Sequence, residues 1–281
     1  MKKKLHIMFI LGLSIPLASC DKDTKDINLS ASNEIILIVK DPLAEAQAQT
    51  KTTALSTLPS SLYLAGTTGS GTTQSEKWSP ESMSVSSSKI STGYYQTATA
   101  TAYNYYLSNL AMTFSASGYT IVADGSTTDA IAGIASAETS VTPSVTMDHI
   151  FARTGSISIS STNGYTLSDV TYQLASKGEN TGTKGTYNIC TKAWSGTTAL
   201  ASQSITTSSD LYLIPGKYTL TVSGTETLGD YFQSFSVSTD IKLVAGKINN
   251  IAINRTGTGA IQIVISSTIT AWGSTTLTPS I

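Results

Sequence analysis

The sequence predicts an all-β protein built from β-sandwich domains, and three observations support this. Apolar residues alternate with Ser or Thr at a period of two, for example at Ile157 and Ile159. Turn-forming pairs such as Asn163-Gly164 and Pro215-Gly216 separate these runs. Only 12% of the residues are charged, whereas 40% are hydrophobic. Short alternating strands separated by turns are typical of sandwiches whose sheets keep one solvated face.

The composition excludes several kinds of chemistry. The chain has 281 residues, a net charge of −1 and a pI of about 6.1, so it offers no electrostatic attraction to nucleic acid. Of the two histidines, His6 falls in the leader and only His149 remains, which argues against multi-histidine metal sites. Catalytic elbows, calcium loops and phosphate loops are absent from the sequence. We therefore predict no enzyme activity, no cofactor and no metal.

The leader MKKKLHIMFILGLSIPLASC has a basic start, a short apolar stretch and small residues before Cys20. Such a segment is an export signal rather than a permanent membrane helix. Its ending is similar to a bacterial lipobox, in which the cysteine is acylated. We predict a signal peptide over residues 1–19, lipidation of Cys20 and a lipid-anchored tether over residues 20–33. The alternative is an ordinary secretory signal in which Cys20 is incidental.

The first predicted strand follows the tether. It consists of five consecutive apolar residues, Ile35, Ile36, Leu37, Ile38 and Val39, between Glu34 and Lys40. A short β-branched run that ends at Asp41-Pro42 predicts a strand buried on both faces.

The next part of the chain has weaker patterns. Residues 43–60 read as a loop that could include a short helix or strand, residues 61–65 as a short strand, and residues 66–74 as a turn that ends at Trp78-Ser79-Pro80. Residues 82–122 predict several strands, with Tyr103 and Tyr105 on one face and Tyr106 on the other. Residues 129–137 predict a helical turn or a loop, and alternation resumes at 141–147.

Cleaner alternation continues to the C-terminus. Asn188–Cys190 reads as strand-like, with Cys190 as a buried free thiol. Further strands are indicated around Val170–Leu174, Leu211–Leu213, Tyr218–Val222, Phe235–Val237, Ile241–Leu243, Ile251–Ile253, Ile261–Ile265 and Ile269–Ala271. The pattern becomes clearer near residue 150, and each side then has the size of a domain. We predict an N-terminal β-sandwich over 34–150 and a C-terminal β-sandwich over 151–281.

Several motifs, in order, resemble the fimbrillin family of Bacteroidales, which comprises type V pilus subunits and related surface lipoproteins. The resemblance is carried by Asp129-Ala130-Ile131, by residues 145–153 (VTMDHIFAR), by residues 211–215 (LYLIP), by residues 244–247 (VAGK) and by residues 269–272 (ITAW). It implies two tandem transthyretin-like β-sandwiches, export as a lipidated precursor, and a place in a fimbrium at the outer membrane surface. It also implies a role in adhesion, with other fimbrial subunits as partners.

In this family the first strand is removed by proteolysis and a donor strand from another subunit fills the groove. The resemblance makes residues 35–39 the candidate displaced strand, and places the donor near the C-terminus at Ile269, Trp272, Leu277 and Ile281. Cleavage in this family usually follows a basic residue, often an arginine. No arginine precedes Arg153 here, so the resemblance makes Lys40 and Lys51 the candidate processing sites. The alternative is that residues 35–39 form a permanent core strand.

Two further hypotheses concern individual side chains. A surface lipoprotein rich in aromatic residues could bind glycans, with stacking platforms at Trp78, Tyr94, Tyr95, Tyr103, Tyr105, Tyr106 and Trp194. Adjacent Asp148 and His149 could act in acid–base chemistry, although a structural histidine is the simpler interpretation. Asp124 and Asp129 flank a Gly-Ser turn and are predicted to be turn formers.

Overall fold

The computed structural model describes residues 34–40, 58–96, 101–162, 164–207, 211–256 and 262–271. All regular elements in these ranges are strands, which confirms the all-β prediction. In chain order the first nine are β1 Glu34–Lys40, β2 Ser61–Thr68, β3 Ser75–Ser84, β4 Lys89–Tyr95, β5 Tyr103–Ser108, β6 Met112–Ser115, β7 Gly118–Asp124, β8 Ile131–Glu138 and β9 Ser144–His149. The described ranges hold no helix long and apolar enough to cross a membrane.

The other ten strands follow residue 150. They are β10 Ala152–Ser161, β11 Thr166–Ser176, β12 Lys184–Asn188, β13 Ala193–Thr198, β14 Gln203–Ile205, β15 Tyr212–Leu213, β16 Gly216–Leu228, β17 Tyr231–Leu243, β18 Lys247–Thr256 and β19 Gln262–Ala271. In both halves of the chain the first strand pairs in parallel with a later strand. β1 lies parallel to β9, and β10 lies parallel to β18.

The strands form four sheets. Sheet 1 has the order β3-β2-β5-β8-β9-β1-β4, and sheet 2 has the order β13-β12-β7-β6. Sheet 3 has the order β15-β10-β18-β19, and sheet 4 has the order β14-β11-β16-β17. The hairpin β12–β13 pairs with β7, so residues 184–198 complete a sheet that began before residue 150. The two halves of the chain are therefore joined by backbone hydrogen bonds as well as by the connection at residues 150–151.

The central strands of sheet 1, β2, β5 and β8, contribute side chains to a core on each of their two faces. All seven strands of the sheet contribute side chains to an inner core, and its edge strands β3 and β4 approach each other. Its other face packs against sheet 2 in an outer core. The central strand β5 confirms the predicted split, because Tyr103 and Tyr105 enter the inner core whereas Tyr106 enters the outer core. Sheets 3 and 4 enclose a third core and have the expected polar outer faces.

Two local predictions were wrong. Residues 131–138 form strand β8 rather than a helical turn or loop. Small residues are needed there, since a Cβ on Gly133 would lie 2.4 Å from the Thr146 carbonyl oxygen of neighbouring β9. Trp78 and Pro80 lie inside β3 rather than at a turn. Proline is tolerated there because β3 is an edge strand.

Two further expectations are corrected in detail. β1 is fully buried on one face only, since Ile35, Leu37 and Val39 are at most 1% exposed while Ile36 and Ile38 are half-buried. The Cys190 thiol is half-buried and follows the end of β12. It is 3.6 Å from the Gln74 side-chain nitrogen.

Tyr218 fastens the segment before β12 to the third core. Its hydroxyl lies 2.7 Å from the Ile214 carbonyl oxygen, to which it donates, and accepts from the Gly182 backbone N–H at 2.9 Å. Burial raises the pKa of Tyr218 to about 12, although the Gly182 hydrogen bond opposes this. The phenol is therefore held neutral in the folded state.

We expect stability to fall at alkaline pH because of this phenol. The folded pKa lies above the unfolded value near 10, so its contribution is complete below pH 10 and is lost as the pH rises through 12. At about 1.4 kcal/mol per pKa unit, the loss is about 2–3 kcal/mol. Urea unfolding between pH 8 and pH 12 measures it. Tyr218→Phe should reduce this dependence, with a residual slope from other buried tyrosines whose pKa is raised, among them Tyr105, Tyr106, Tyr119 and Tyr187, and an unchanged slope would contradict the assignment.

Candidate functional site: the first strand and its groove

β1 is the candidate functional element, and neighbouring strands pair with it on both sides. On one side it lies parallel to β9, with Val39 opposite Val145. On the other it lies antiparallel to β4, with Leu37 opposite Ile90. We call the space between β4 and β9 that β1 fills the β1 groove. β4 is an edge strand and its ladder partner is β1, so β1 also holds β4 in the sheet.

Backbone hydrogen bonds to loop residues extend these ladders. The Ile36 N–H donates to the Val141 carbonyl at 2.8 Å, and the Ile38 N–H donates to the Pro143 carbonyl at 2.9 Å. The Val39 N–H donates to the Ser88 carbonyl on the opposite side at 2.9 Å. Such bonds depend on backbone geometry and not on side-chain identity, so any strand of suitable length could make them.

Side-chain recognition in the β1 groove is apolar. Ile35, Leu37 and Val39 are 0%, 0% and 1% exposed and pack in the inner core with Ile90 and Val145. Full burial of such side chains contributes about 1.5–3 kcal/mol each. The groove therefore fits a strand with apolar residues at every second position.

Glu34 was missed as a site residue by sequence reasoning. Its carboxylate accepts hydrogen bonds from the Ser91 hydroxyl and from the Gly93 N–H, the latter at 3.2 Å. The Thr92 hydroxyl donates to the Ile35 carbonyl at 2.7 Å. These contacts fasten the start of β1 to β4. The only sequence signal was a carboxylate directly before an apolar run.

The other predicted site residues are placed as follows. Lys40 is exposed at the end of β1 and pairs with Thr146. Ile269 lies in β19, opposite Asn249 of β18. Residues outside the described ranges are Cys20, Lys51, Trp272, Leu277 and Ile281.

The acid–base hypothesis for Asp148 and His149 is not favoured by the geometry. Neighbouring strand residues face opposite ways, and exposed Asp148 pairs with Lys192 at 2.8 Å. His149 is buried, with Nδ1 3.0 Å from Oδ2 of Asp129. Asp129 is therefore a buried partner of His149 and not a turn former, whereas Asp124 does accept hydrogen bonds from Ser126 in the turn.

The Asp129–His149 pair lies where the first half of the chain passes into the second. Burial raises the pKa of Asp129, and nearby His149 and Arg153 oppose that rise. The Asn109 amide donates to the Asp129 carbonyl at 2.9 Å and accepts from the Ile131 N–H at 2.9 Å. These contacts hold the junction together, and a structural role for His149 fits them best.

The proposed aromatic platforms for glycan stacking are mostly inaccessible. Four of the seven rings are at most 6% exposed, namely Trp78, Tyr103, Tyr105 and Tyr106. The Trp78 ring stacks on the half-buried Tyr94 ring at 4.7 Å between centroids. Trp78, Tyr103 and Tyr105 pack in the inner core and Tyr106 packs in the outer core, so these four rings cannot form a sugar-binding platform.

The fold and the β1 groove define an all-β protein whose first strand is inserted between two others. No family model matches the chain, and no curated protein matches it. The chain is similar in structure to several proteins proposed to act in cell adhesion. One, from Bacteroides ovatus, is 13% identical with a TM-score of 0.49 and covers 86% of this chain and 99% of its own.

The second, from Bacteroides eggerthii, is 13% identical with a TM-score of 0.46 and covers 87% of this chain and 98% of its own. The third, from Bacteroides thetaiotaomicron, is 16% identical with a TM-score of 0.42 and covers 82% of this chain and 99% of its own.

Proposed function

We propose that this protein is a subunit, anchor or tip component of a cell-surface fimbria that assembles by donor-strand exchange and contributes to adhesion. The observation that carries the proposal is the position of β1. It is the first strand of the described ranges, it pairs on both sides, and it places three side chains in the inner core. A strand inserted in this way can be replaced by another strand without changing the topology of the rest.

Loss of β1 would leave the groove strongly attractive to a new strand. The three fully buried side chains alone account for about 5–9 kcal/mol of apolar burial. The facing edges of β4 and β9 would also lose their backbone partners, which is the condition for strand addition. An incoming strand with matching alternation would restore both contributions.

The donor in this proposal is the C-terminal segment of a neighbouring subunit. Ile269 is already paired within β19, so the residues that follow β19 are the better donors. Trp272, Leu277 and Ile281 then supply apolar side chains. Acylation of Cys20 would hold the precursor at the outer membrane, and cleavage after Lys40 or Lys51 would release β1.

The mature N-terminus tests whether processing occurs. We expect protein purified from the native cell surface to begin after Lys40 or Lys51 when its N-terminus is sequenced. Only a small fraction should retain Cys20, as the lipidated precursor. A uniform start at Cys20 would contradict assembly of this chain as a processed subunit.

Strand exchange can be measured directly on a nicked protein. A specific protease site is placed within residues 45–54, the purified chain is cut, and a fluorescent peptide copying residues 268–281 is added in excess. We expect the fragment that contains β1 to be released while the peptide is retained on size-exclusion chromatography. A scrambled peptide of the same composition serves as the control. Equal release with both peptides, or no release with either, contradicts donor-strand exchange.

A further inference from the structure

Sheet 4 carries an outer face of unusual composition. Its two longest strands, β16 and β17, pair over their full length and turn every second side chain outward. We call the outward residues from Thr219 to Thr227 and from Phe232 to Asp240 the hydroxyl face; they are Thr219, Thr221, Ser223, Thr225 and Thr227 on β16, and Phe232, Ser234, Ser236, Ser238 and Asp240 on β17. Eight of the ten are Ser or Thr, and the one aromatic side chain is Phe232.

The hydroxyl groups are held in register across the two strands. Thr221 and Ser238 are hydrogen-bonded at 2.8 Å, and the Ser223 hydroxyl donates to that of Ser236 at 2.8 Å. Gln173 of β11 is opposite Thr221 on the other side and extends this row with a carboxamide. In each pair one hydroxyl donates to the other. The second O–H donor and the remaining oxygen lone pairs of the pair are therefore left for a ligand.

Phe232 stands at the end of this face and is 71% exposed. It lies opposite Thr227, next to the tight turn that joins Leu228 to Tyr231. Gly229 in this turn has a φ of 56°, which glycine adopts without strain. The ring is therefore carried on a regular hairpin rather than on a long loop.

A buried ion pair stabilises the other side of the β16–β17 hairpin near its tip. Arg255 is buried, and its Nε atom lies 2.9 Å from the Glu226 carboxylate. The Arg255 guanidinium lies 3.6 Å from the centroid of the Tyr165 ring, which meets the Tyr231 ring edge-on at 6.4 Å. This packing fixes the strand ends that carry Phe232, so a ligand would meet a preorganised surface.

The hydroxyl face lacks charge where Phe232 stands. Between Phe232 and Ser238, β16 and β17 place no charged side chain on this face within the described strands. Charged side chains stand at the other end, where Asp240 pairs with Lys177 and the exposed Lys217 and Lys242 lie opposite each other. Anionic lipids and nucleic acids bind through Lys and Arg, so the uncharged part of the face around Phe232 does not suit them. The exposed apolar surface at this hairpin tip comes from three side chains, Leu228, Tyr231 and Phe232, which is also far smaller than the ~800 Å² per partner typical of stable protein interfaces.

We propose that the hydroxyl face with Phe232 binds a neutral glycan chain. The apolar C–H face of one sugar ring would stack on Phe232, and the sugar hydroxyls would exchange hydrogen bonds with the Thr221–Ser238 and Ser223–Ser236 pairs. Six residues of strand separate Phe232 from Ser238, about 20 Å at 3.3 Å per residue, which is room for several sugars. This inference rests on the adhesive part of the proposed function and assigns it a ligand class.

The test uses the full mature chain without its lipid, residues 21–281, on an array of neutral glucans, mannans, galactans and xylans. We expect at least one class to be retained. Phe232→Ala should weaken that binding about tenfold, and the double variant Thr221→Val/Ser238→Ala should weaken it several-fold. Val122→Ala is the matched control, because Val122 is 63% exposed on sheet 2, and its binding should equal that of the wild type.

Other outcomes overturn the proposal. The proposal is wrong if the array retains the protein on no neutral glycan, or if Phe232→Ala and the wild type bind equally well. Binding to phosphatidylcholine vesicles that Phe232→Ala abolishes would assign the ring to lipid instead. Self-association in sedimentation experiments that Phe232→Ala abolishes would assign it to a second copy. Glycan binding and exchange of β1 are measured in separate experiments. Failure of glycan binding would therefore overturn this proposal without affecting the peptide-exchange test of strand assembly.

Discussion

Replacing Leu37 by alanine is expected to lower the free energy of unfolding by about 2–5 kcal/mol. Leu37 is fully buried in the middle of β1 and packs in the inner core, which receives side chains from all seven strands of sheet 1. The substitution removes three methylene-sized groups and leaves a cavity that the surrounding strands cannot close without losing their own packing. Urea denaturation of residues 21–281, with the slope held common to both proteins, measures the loss.

Ile38→Ala is the matched control for this effect. Ile38 neighbours Leu37 in the same strand but points to the other face, where it is half-buried. We expect it to cost about 1 kcal/mol, near the average of single substitutions. If Leu37→Ala and Ile38→Ala lowered the free energy of unfolding equally, the two faces of β1 would contribute equally to its stability, which would contradict the prediction. Leu37→Ala should also accelerate release of the β1 fragment from nicked protein, which links the stability of β1 to its exchange.

Removing either partner of the Glu226–Arg255 ion pair should lower the free energy of unfolding about as much as Leu37→Ala. Both side chains are 0% exposed, so Arg255→Met leaves the Glu226 carboxylate buried without its cation. Breaking a buried pair in this way costs about 3–5 kcal/mol. Replacing both residues together, Glu226→Leu/Arg255→Met, should recover most of the loss, because desolvating a pair already offsets much of its attraction.

The exposed pair between Lys177 and Asp240 provides the comparison. Both side chains are about half exposed, so Lys177→Met should cost under about 1 kcal/mol. Chemical denaturation of the single variants and the double variant gives the coupling energy of the buried pair. A loss for Arg255→Met no greater than for Lys177→Met, or strictly additive effects of Glu226→Leu and Arg255→Met, would contradict the assigned burial.

Local periodicity predicted the second half of the chain well. The runs Tyr218–Val222 and Ile251–Ile253 are strands whose alternate side chains enter the third core. In the first half it was less successful, because the central strands β2 and β5 are buried on both faces and leave little polar alternation to detect. Strand β8, with its Ala and Gly residues, has weak β propensity and becomes a strand because β5 and β9 pair with it.

Part of the candidate site could be predicted in the same way. The apolar run at residues 35–39 identified β1, but not which strands pair with it. Arg255 is in phase with Ile251 and Ile253, so its inward position was visible in the pattern. Its partner Glu226 is 29 residues away in the chain, and only the register between sheets 3 and 4 brings the two together. Likewise, four of the seven aromatic rings that the sequence suggested as platforms are buried, whereas Phe232, which the sequence did not suggest, is 71% exposed.

The sequence alone was enough to determine the all-β class, the period of its strands and the apolar character of β1, because these depend on residues close in the chain. Tertiary structure decided the neighbours of β1, the insertion of β12–β13 beside β7, the pairing of Asp129 with His149, and the exposure of Phe232. Contacts of this second kind join residues far apart in sequence. Their energies depend on sheet order and register, which a local pattern of side chains does not encode.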